Sequence, residues 1–141
     1  MAGLATILHA EDDPDEAFFL ARTLRKQGVP LALQQVPDGQ AAIEYLSGAT
    51  SFRDRQKYPL PVAVLLDIKM PRKDGFDVLE WVRKQPQFRS LPVIVLTSSE
   101  RPEDQRRAAA LGATAYMTKG FDWSKVLEKL REVLGTAGFT A

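Results

Sequence analysis

Val62-Ala63-Val64-Leu65-Leu66-Asp67 is a run of apolar residues closed by an acid. Consecutive apolar side chains cannot alternate between core and solvent, so a strand here has both faces covered, as in a parallel sheet with helices on either side. The neighbouring stretches repeat the theme. Ala5 to Ala10 is strand-sized, and a helix follows from near Pro14 to a stop at Gly28. Leu31 to Val36 reads as a second strand, and Asp38 is placed to cap a helix through about Leu46, closed by Ser47-Gly48. After Asp67, Phe76, Leu79 and Val82 share one face of a helix from about Gly75 to Gln85, ended by Pro86. Val93 to Leu96 is another buried strand, Pro102 to Leu111 an alanine-rich helix stopped by Gly112, and Ala115 to Met117 a short strand. Val126, Leu127, Leu130, Val133 and Leu134 form a single stripe on the last helix. Strands alternating with helices predict a doubly wound α/β fold, a five-stranded parallel sheet with helices on both faces.

The 141 residues are enough for one domain and too few for two, with an expected core at about 5–134, a short tail at 135–141 and a long connection at about 47–61. Basic and acidic residues nearly balance at 19 and 18, so no nucleic-acid or anionic membrane partner is expected. There is no cysteine and His9 is the single histidine, which excludes disulfides, thiolate nucleophiles and multi-histidine metal cages. A metal here would be a hard cation held by oxygen. With no basic leader and no membrane-length apolar stretch, a soluble cytoplasmic protein is expected.

In parallel α/β sheets, sites form at the carboxyl ends of the strands. Those ends carry Glu11-Asp12, Asp67 and Thr97, with Lys119 after the last strand. Some acids in Glu11-Asp12-Asp13-Pro14-Asp15-Glu16 are explained by a helix start: Asp13 fits N-cap, Pro14 the first helical position, and Asp13 with Glu16 the spacing of a capping box. Glu11 and Asp12 are left over. Asp67, at the end of a buried strand, needs a cation beside it. Mg²⁺ suits such a set because it keeps several waters, uses one or two carboxylates and coordinates phosphate oxygens. A carboxylate can also attack phosphorus to give an aspartyl phosphate, with a lysine and a hydroxyl offsetting the phosphoryl charge. Taken singly, Lys119 is as readily a snorkelling surface lysine and Thr97 an ordinary strand-end threonine.

Glu11-Asp12, Asp67-Ile68-Lys69-Met70-Pro71 with Asp74-Gly75, Thr97-Ser98 and Lys119 resemble, in order and spacing, the receiver domain of two-component response regulators, over about Ala5 to Leu134. The resemblance implies the flavodoxin-like strand order 2-1-3-4-5 and a stand-alone response regulator. Asp67 would be the phosphoacceptor for a sensor histidine kinase, Asp12 would bind Mg²⁺ directly with Glu11 assisting, and the Lys69 main-chain carbonyl would complete the protein ligands. Thr97 and Tyr116 match the switch pair, which would reshape the face of the fourth helix, fifth strand and fifth helix for a downstream protein target or phosphotransfer protein, or for a homodimer. Self-catalysed loss of the phosphoryl group is also implied, at a rate the family tunes at the positions of Lys69 and Ser99. The connection from Ser47 to Pro61 is similar to an insertion in single-domain regulators paired with bacterial phytochromes and related hybrid sensor kinases.

One departure stands out. The family usually has proline after the lysine, with a cis peptide bond, whereas Gly120 follows Lys119 here. A cis bond without proline costs about 2.5 to 4 kcal/mol, so Gly120 is expected to make the turn through positive φ instead. The competing functions are a receiver-like binding module that works without phosphorylation and an aspartyl-phosphate phosphatase of the haloacid-dehalogenase type. The latter needs an acid two residues after its nucleophile, where Lys69 stands. A dinucleotide binder would need a glycine-rich loop where the acids after the first strand lie.

Overall fold

In the computed structural model, which describes residues 4–120 and 123–135, the run that ends at Asp67 forms the middle strand of a five-stranded parallel sheet. The strands are β1 (Ala5–Ala10), β2 (Leu31–Val36), β3 (Ala63–Leu66), β4 (Val93–Thr97) and β5 (Ala115–Thr118), in the order β2-β1-β3-β4-β5. Between and after them lie α1 (Pro14–Lys26), α2 (Gly39–Ser47), α3 (Gly75–Lys84), α4 (Pro102–Ala110) and α5 (Ser124–Leu134). All of β3 is buried, as its lack of alternation predicts. It begins one residue later than expected: the Val62 amide still bonds to the Thr6 carbonyl at 2.8 Å, but its side chain is exposed, just before the strand's amino end. The expected tail from 136 onward lies outside the described residues.

Successive strand residues feed opposite faces. Leu8, Val64 and Leu66 pack with Ala42, Tyr45 and Leu46 of α2 and with Val78, Leu79 and Val82 of α3. Ile7, Leu65, Ile94 and Leu96 pack on the other face with Leu20 and Leu24 of α1 and with Val126, Leu127 and Leu130 of α5. A smaller cluster of Ile68, Phe76, Val95 and Ala108 seats α4, with Tyr116 against it.

Local signals set the helix starts that frame the strand ends. Asp38 caps α2 by accepting from the Ala41 amide at 2.7 Å, and Asp74 and Asp77 form a reciprocal capping box on α3. At α1 the expected box does not form. Asp13 caps the helix through the Asp15 amide at 2.9 Å, and Glu16 is engaged elsewhere, with Lys119. An ammonium offers a carboxylate a stronger bond than a neutral backbone amide does.

The connection at 47–61 is a built corner. Its Arg55 guanidinium donates to the Tyr45 and Leu46 carbonyls at the end of α2, at 2.8 Å each, and to Tyr58 at 3.2 Å. Phe52 and Tyr58 pack on the fully buried Tyr45 ring, whose hydroxyl donates to the Pro59 carbonyl at 2.7 Å.

Candidate functional site

Strand order decides which residues meet. β1 and β3 are neighbours with Ala10 opposite Leu66, so the residues that follow them, Glu11 and Asp67, emerge side by side. The Asp67 amide donates to the Ala10 carbonyl at 3.1 Å, fixing that junction. Thr97 closes β4 beside β5, and its carbonyl takes the Lys119 amide at 2.7 Å. The five strand-end residues expected to converge therefore share one edge of the sheet.

Glu11, Asp12 and Asp67 each place a carboxylate oxygen within 4.8 Å of the others'. Glu11 and Asp67 are buried and Asp12 is exposed, so the group is a pocket with one open side. Lys119 enters from the β5 side. Its Nζ lies 2.6 Å from Glu11 Oε1, 2.6 Å from Glu16 Oε2 and 3.0 Å from Asp67 Oδ2. The second oxygens are also engaged: Glu11 Oε2 accepts from the Asp13 amide at 3.2 Å, and Asp67 Oδ1 from the Lys69 amide at 3.3 Å. This last bond brings the Lys69 backbone to the pocket while its side chain is exposed.

Electrostatics follow from the count of charges. Burial alone would lower the Lys119 ammonium's pKa, but the carboxylates of Glu11, Glu16 and Asp67 outweigh it and hold the group above the ordinary lysine value. Burial pushes the Glu11 carboxyl up, to about 8, against the pull of Lys119 and with the push of Glu16 and Asp67. Among the described residues, one ammonium faces more carboxylates than it balances, and a divalent cation among Glu11, Asp12 and Asp67 would offset the rest. The donor set, carboxylate oxygens with an open side for water, fits such an ion. His9 takes no part in the site: buried in β1, it is held neutral by burial and by Lys119, its pKa lowered to about 4.

Thr97 and Tyr116 are connected through Ser99. Thr97 is fully buried, and its Oγ1 accepts from the Ser99 amide at 3.3 Å, which leaves the hydroxyl proton available. Ser99 Oγ donates to Asp104 on α4 at 2.6 Å, and the Tyr116 hydroxyl donates to the Ser99 carbonyl at 2.9 Å. Tyr116 is thus half-buried with its hydroxyl in the β4–α4 connection.

Two features differ from the sequence-based expectation. The described residues contain no cis peptide, and Gly120 does not adopt the left-handed φ expected of it. The Lys119 ammonium reaches Asp67 with ordinary backbone, because its own side chain spans the gap and carboxylates receive it. The second is Glu16, missed because an acid in the first turn of a helix reads as a cap. Its signal was the surplus of acids in Glu11–Glu16, more than one helix end uses.

Known proteins resemble this chain along nearly its whole length. The family described as response regulator receiver domain matches residues 7–131. The probable methanogenesis regulatory protein FilR2 of Methanothrix harundinacea is 31% identical over 129 residues, covering 89% of this chain and 81% of that protein. The crystal structure of the phosphorylated cyanobacterial phytochrome response regulator RcpA superposes with a TM-score of 0.83 at 27% identity, covering 95% of this chain and 96% of RcpA. The Mn²⁺-bound form of response regulator Rcp1 gives 0.80 at 26% identity, covering 97% of this chain and 96% of Rcp1.

Proposed function

Because this chain belongs to the response regulator receiver family, we propose that it takes a phosphoryl group from a sensor histidine kinase onto Asp67 and signals through a changed protein surface. Receiver domains receive phosphate from histidine kinases and bind a divalent metal at an acidic pocket. The observation that carries the assignment to Asp67 is its position. It follows the middle strand, between the β1 end that carries Glu11 and the β4 end that carries Thr97, and it joins the acidic trio at 3.0 Å from the ammonium.

Glu11, Asp12 and Asp67 would hold the ion, with the Lys69 carbonyl as a further ligand, and Mg²⁺ is the ion proposed. When bound, such an ion neutralises phosphoryl oxygens and fixes their orientation. In the transfer, one Asp67 oxygen forms a bond to phosphorus as the P–N bond of the donor phosphohistidine breaks. The electron pair stays on the imidazole, which departs neutral with a proton on its other nitrogen. Lys119 offsets charge on the phosphoryl oxygens, and the Thr97 hydroxyl donates to one of them. Hydrolysis of the aspartyl phosphate by water would reset the protein.

Drawing Thr97 toward the phosphoryl group would pull on the Ser99 amide it now accepts from, and through Ser99 on Asp104 and Tyr116. The face of α4, β5 and α5 is therefore the proposed readout surface, for a downstream protein, a phosphotransfer protein or a second copy. The receiver unit at about 5–134 is the proposed working domain. A phytochrome-type kinase is the proposed donor, supported by the likeness to RcpA along nearly the whole of both chains. No helix among the described residues is long and apolar enough to cross a membrane, which is compatible with work in the cytoplasm.

Incubation with acetyl phosphate or phosphoramidate and Mg²⁺, followed by intact-mass analysis, tests the assignment. Wild type should gain one phosphoryl group, and Asp67→Asn none. A folded wild type that stays unmodified with both donors, or an Asp67→Asn protein that is modified equally, would overturn it.

A further inference from the structure

We infer that Glu16 is the positioning residue for Lys119, the carboxylate that keeps the ammonium in the pocket when Glu11 and Asp67 turn to other partners. The role deepens the proposed phosphoacceptor function and rests on it for its purpose, though not for its geometry. An ammonium has three N–H donors, and at Lys119 three carboxylates receive them, from Glu11, Glu16 and Asp67. Glu11 and Asp67 also belong to the trio that converges on the cation site; Glu16 does not. A cation there draws on the two shared carboxylates and repels Lys119 at once. Among the described residues, Glu16 is then the partner that remains.

Among the described residues, little else restrains the ammonium. The Lys119 amide is tied to Thr97, but the next residue is Gly120, exposed and with none of the described residues close to where a Cβ would stand. The Lys119 side chain is already 11% exposed, so a swing to solvent is open to it. Glu16, by contrast, stands on the first turn of α1, anchored by the Asp13 cap and by Pro14 at the helix start. It sits at the rim, 31% exposed. An exposed ion pair contributes little. This one differs because its ammonium partner is mostly buried and touches the site.

Mn²⁺ is the probe, with free ion counted by electron paramagnetic resonance in wild type, Glu16→Gln, Glu16→Asp, Lys119→Met and the Glu16→Gln/Lys119→Met double variant. Without the Glu16 charge, Lys119 keeps Glu11 and Asp67 as partners in the ion-free protein but has no carboxylate among the described residues to turn to once the ion takes them, so the ion must displace it at a cost. Glu16→Gln should therefore weaken Mn²⁺ binding about fivefold, with Glu16→Asp within about twofold of wild type and the Glu16→Gln effect below about twofold once Lys119 is gone. Wild-type affinity in Glu16→Gln overturns the inference. So does an equal loss in the Lys119→Met background, which marks a through-space charge effect independent of Lys119. Absence of Mn²⁺ binding in wild type removes it as well. Asp67 phosphorylation by phosphoramidate, followed by mass in the same proteins, separates the two claims. An expected Mn²⁺ pattern in a wild type that gains no phosphoryl group sinks the proposed function and leaves the Glu16–Lys119 coupling standing. Normal phosphorylation with a flat Mn²⁺ pattern sinks the positioning role alone.

Discussion

Backbone clearance matters at the site as much as charge does, and Gly75 shows why. It opens α3 with its amide donating to the Ile68 carbonyl at 2.9 Å, and a Cβ there would collide with the Asp67 carbonyl. The close approach is what allows α3 to start directly behind the proposed phosphoacceptor. Gly75→Ala must push the backbone carrying Asp67 away, at the expense of well-packed neighbours, and should destabilise the protein by about 2 kcal/mol. Mn²⁺ affinity should fall with it, because the displaced segment carries one of the three converging carboxylates. Urea unfolding and Mn²⁺ titration check this; unchanged values in both would mean that the loop yields freely. Among the site residues, those at strand ends were legible in the sequence because a parallel sheet delivers all its carboxyl ends to one edge. Glu16 was not, since an acid at that helical position has a common local use, and only the fold brings Lys119 to it across 103 residues of sequence.

The elements themselves were legible wherever a periodic run met a stop signal. β2 and the Asp38 cap of α2 appear as expected, and the helix boundaries differ by a residue or two where no cap specifies the end. The corner at 47–61 was legible only as a long insertion, because its aromatic and basic residues follow no period. What organises it is Arg55, through contacts that no spacing rule encodes. α2 ends without a basic residue of its own in its last turn, and the Arg55 fork supplies donors to its terminal carbonyls from outside. Arg55→Ala leaves the Tyr45, Leu46 and Tyr58 carbonyls without this donor and should cost about 2 kcal/mol in urea unfolding. Arg55→Lys should recover less than half of that, because a single ammonium cannot reproduce a planar fork. A loss below about 0.5 kcal/mol in Arg55→Ala would place the residue among ordinary surface positions and sink the idea that it anchors the corner.

For the molecule as a whole, two buried groups near β1 make the stability of the metal-free protein depend on pH in opposite senses. His9 has its pKa lowered from 6.5 to about 4, so between those values the unfolded chain binds the proton and the folded one does not; stability rises with pH there. Glu11 has its pKa raised from 4.5 to about 8, so in that window the folded chain holds the extra proton, and stability falls as pH rises. The two oppose each other between 4.5 and 6.5, and Glu11 acts alone from 6.5 to about 8. Lys119, held above the ordinary lysine value of 10.5, contributes no slope in this range. In chelator, unfolding free energy should therefore be nearly level from pH 5 to 6.5 and then drop by up to about 2 kcal/mol by pH 8. Glu11→Gln should abolish the drop and leave the His9 rise exposed at lower pH. Saturating Mg²⁺ should also abolish it, because the cation binds the deprotonated carboxylates and only the folded chain assembles them, so stabilisation by Mg²⁺ grows with pH. Urea titrations at the three pH values, with and without Mg²⁺, are sufficient. Metal-free stability that climbs from pH 6.5 to 8 would mean that Glu11 is already ionised beside Lys119 at neutral pH, and that a cation relieves no excess of charge there.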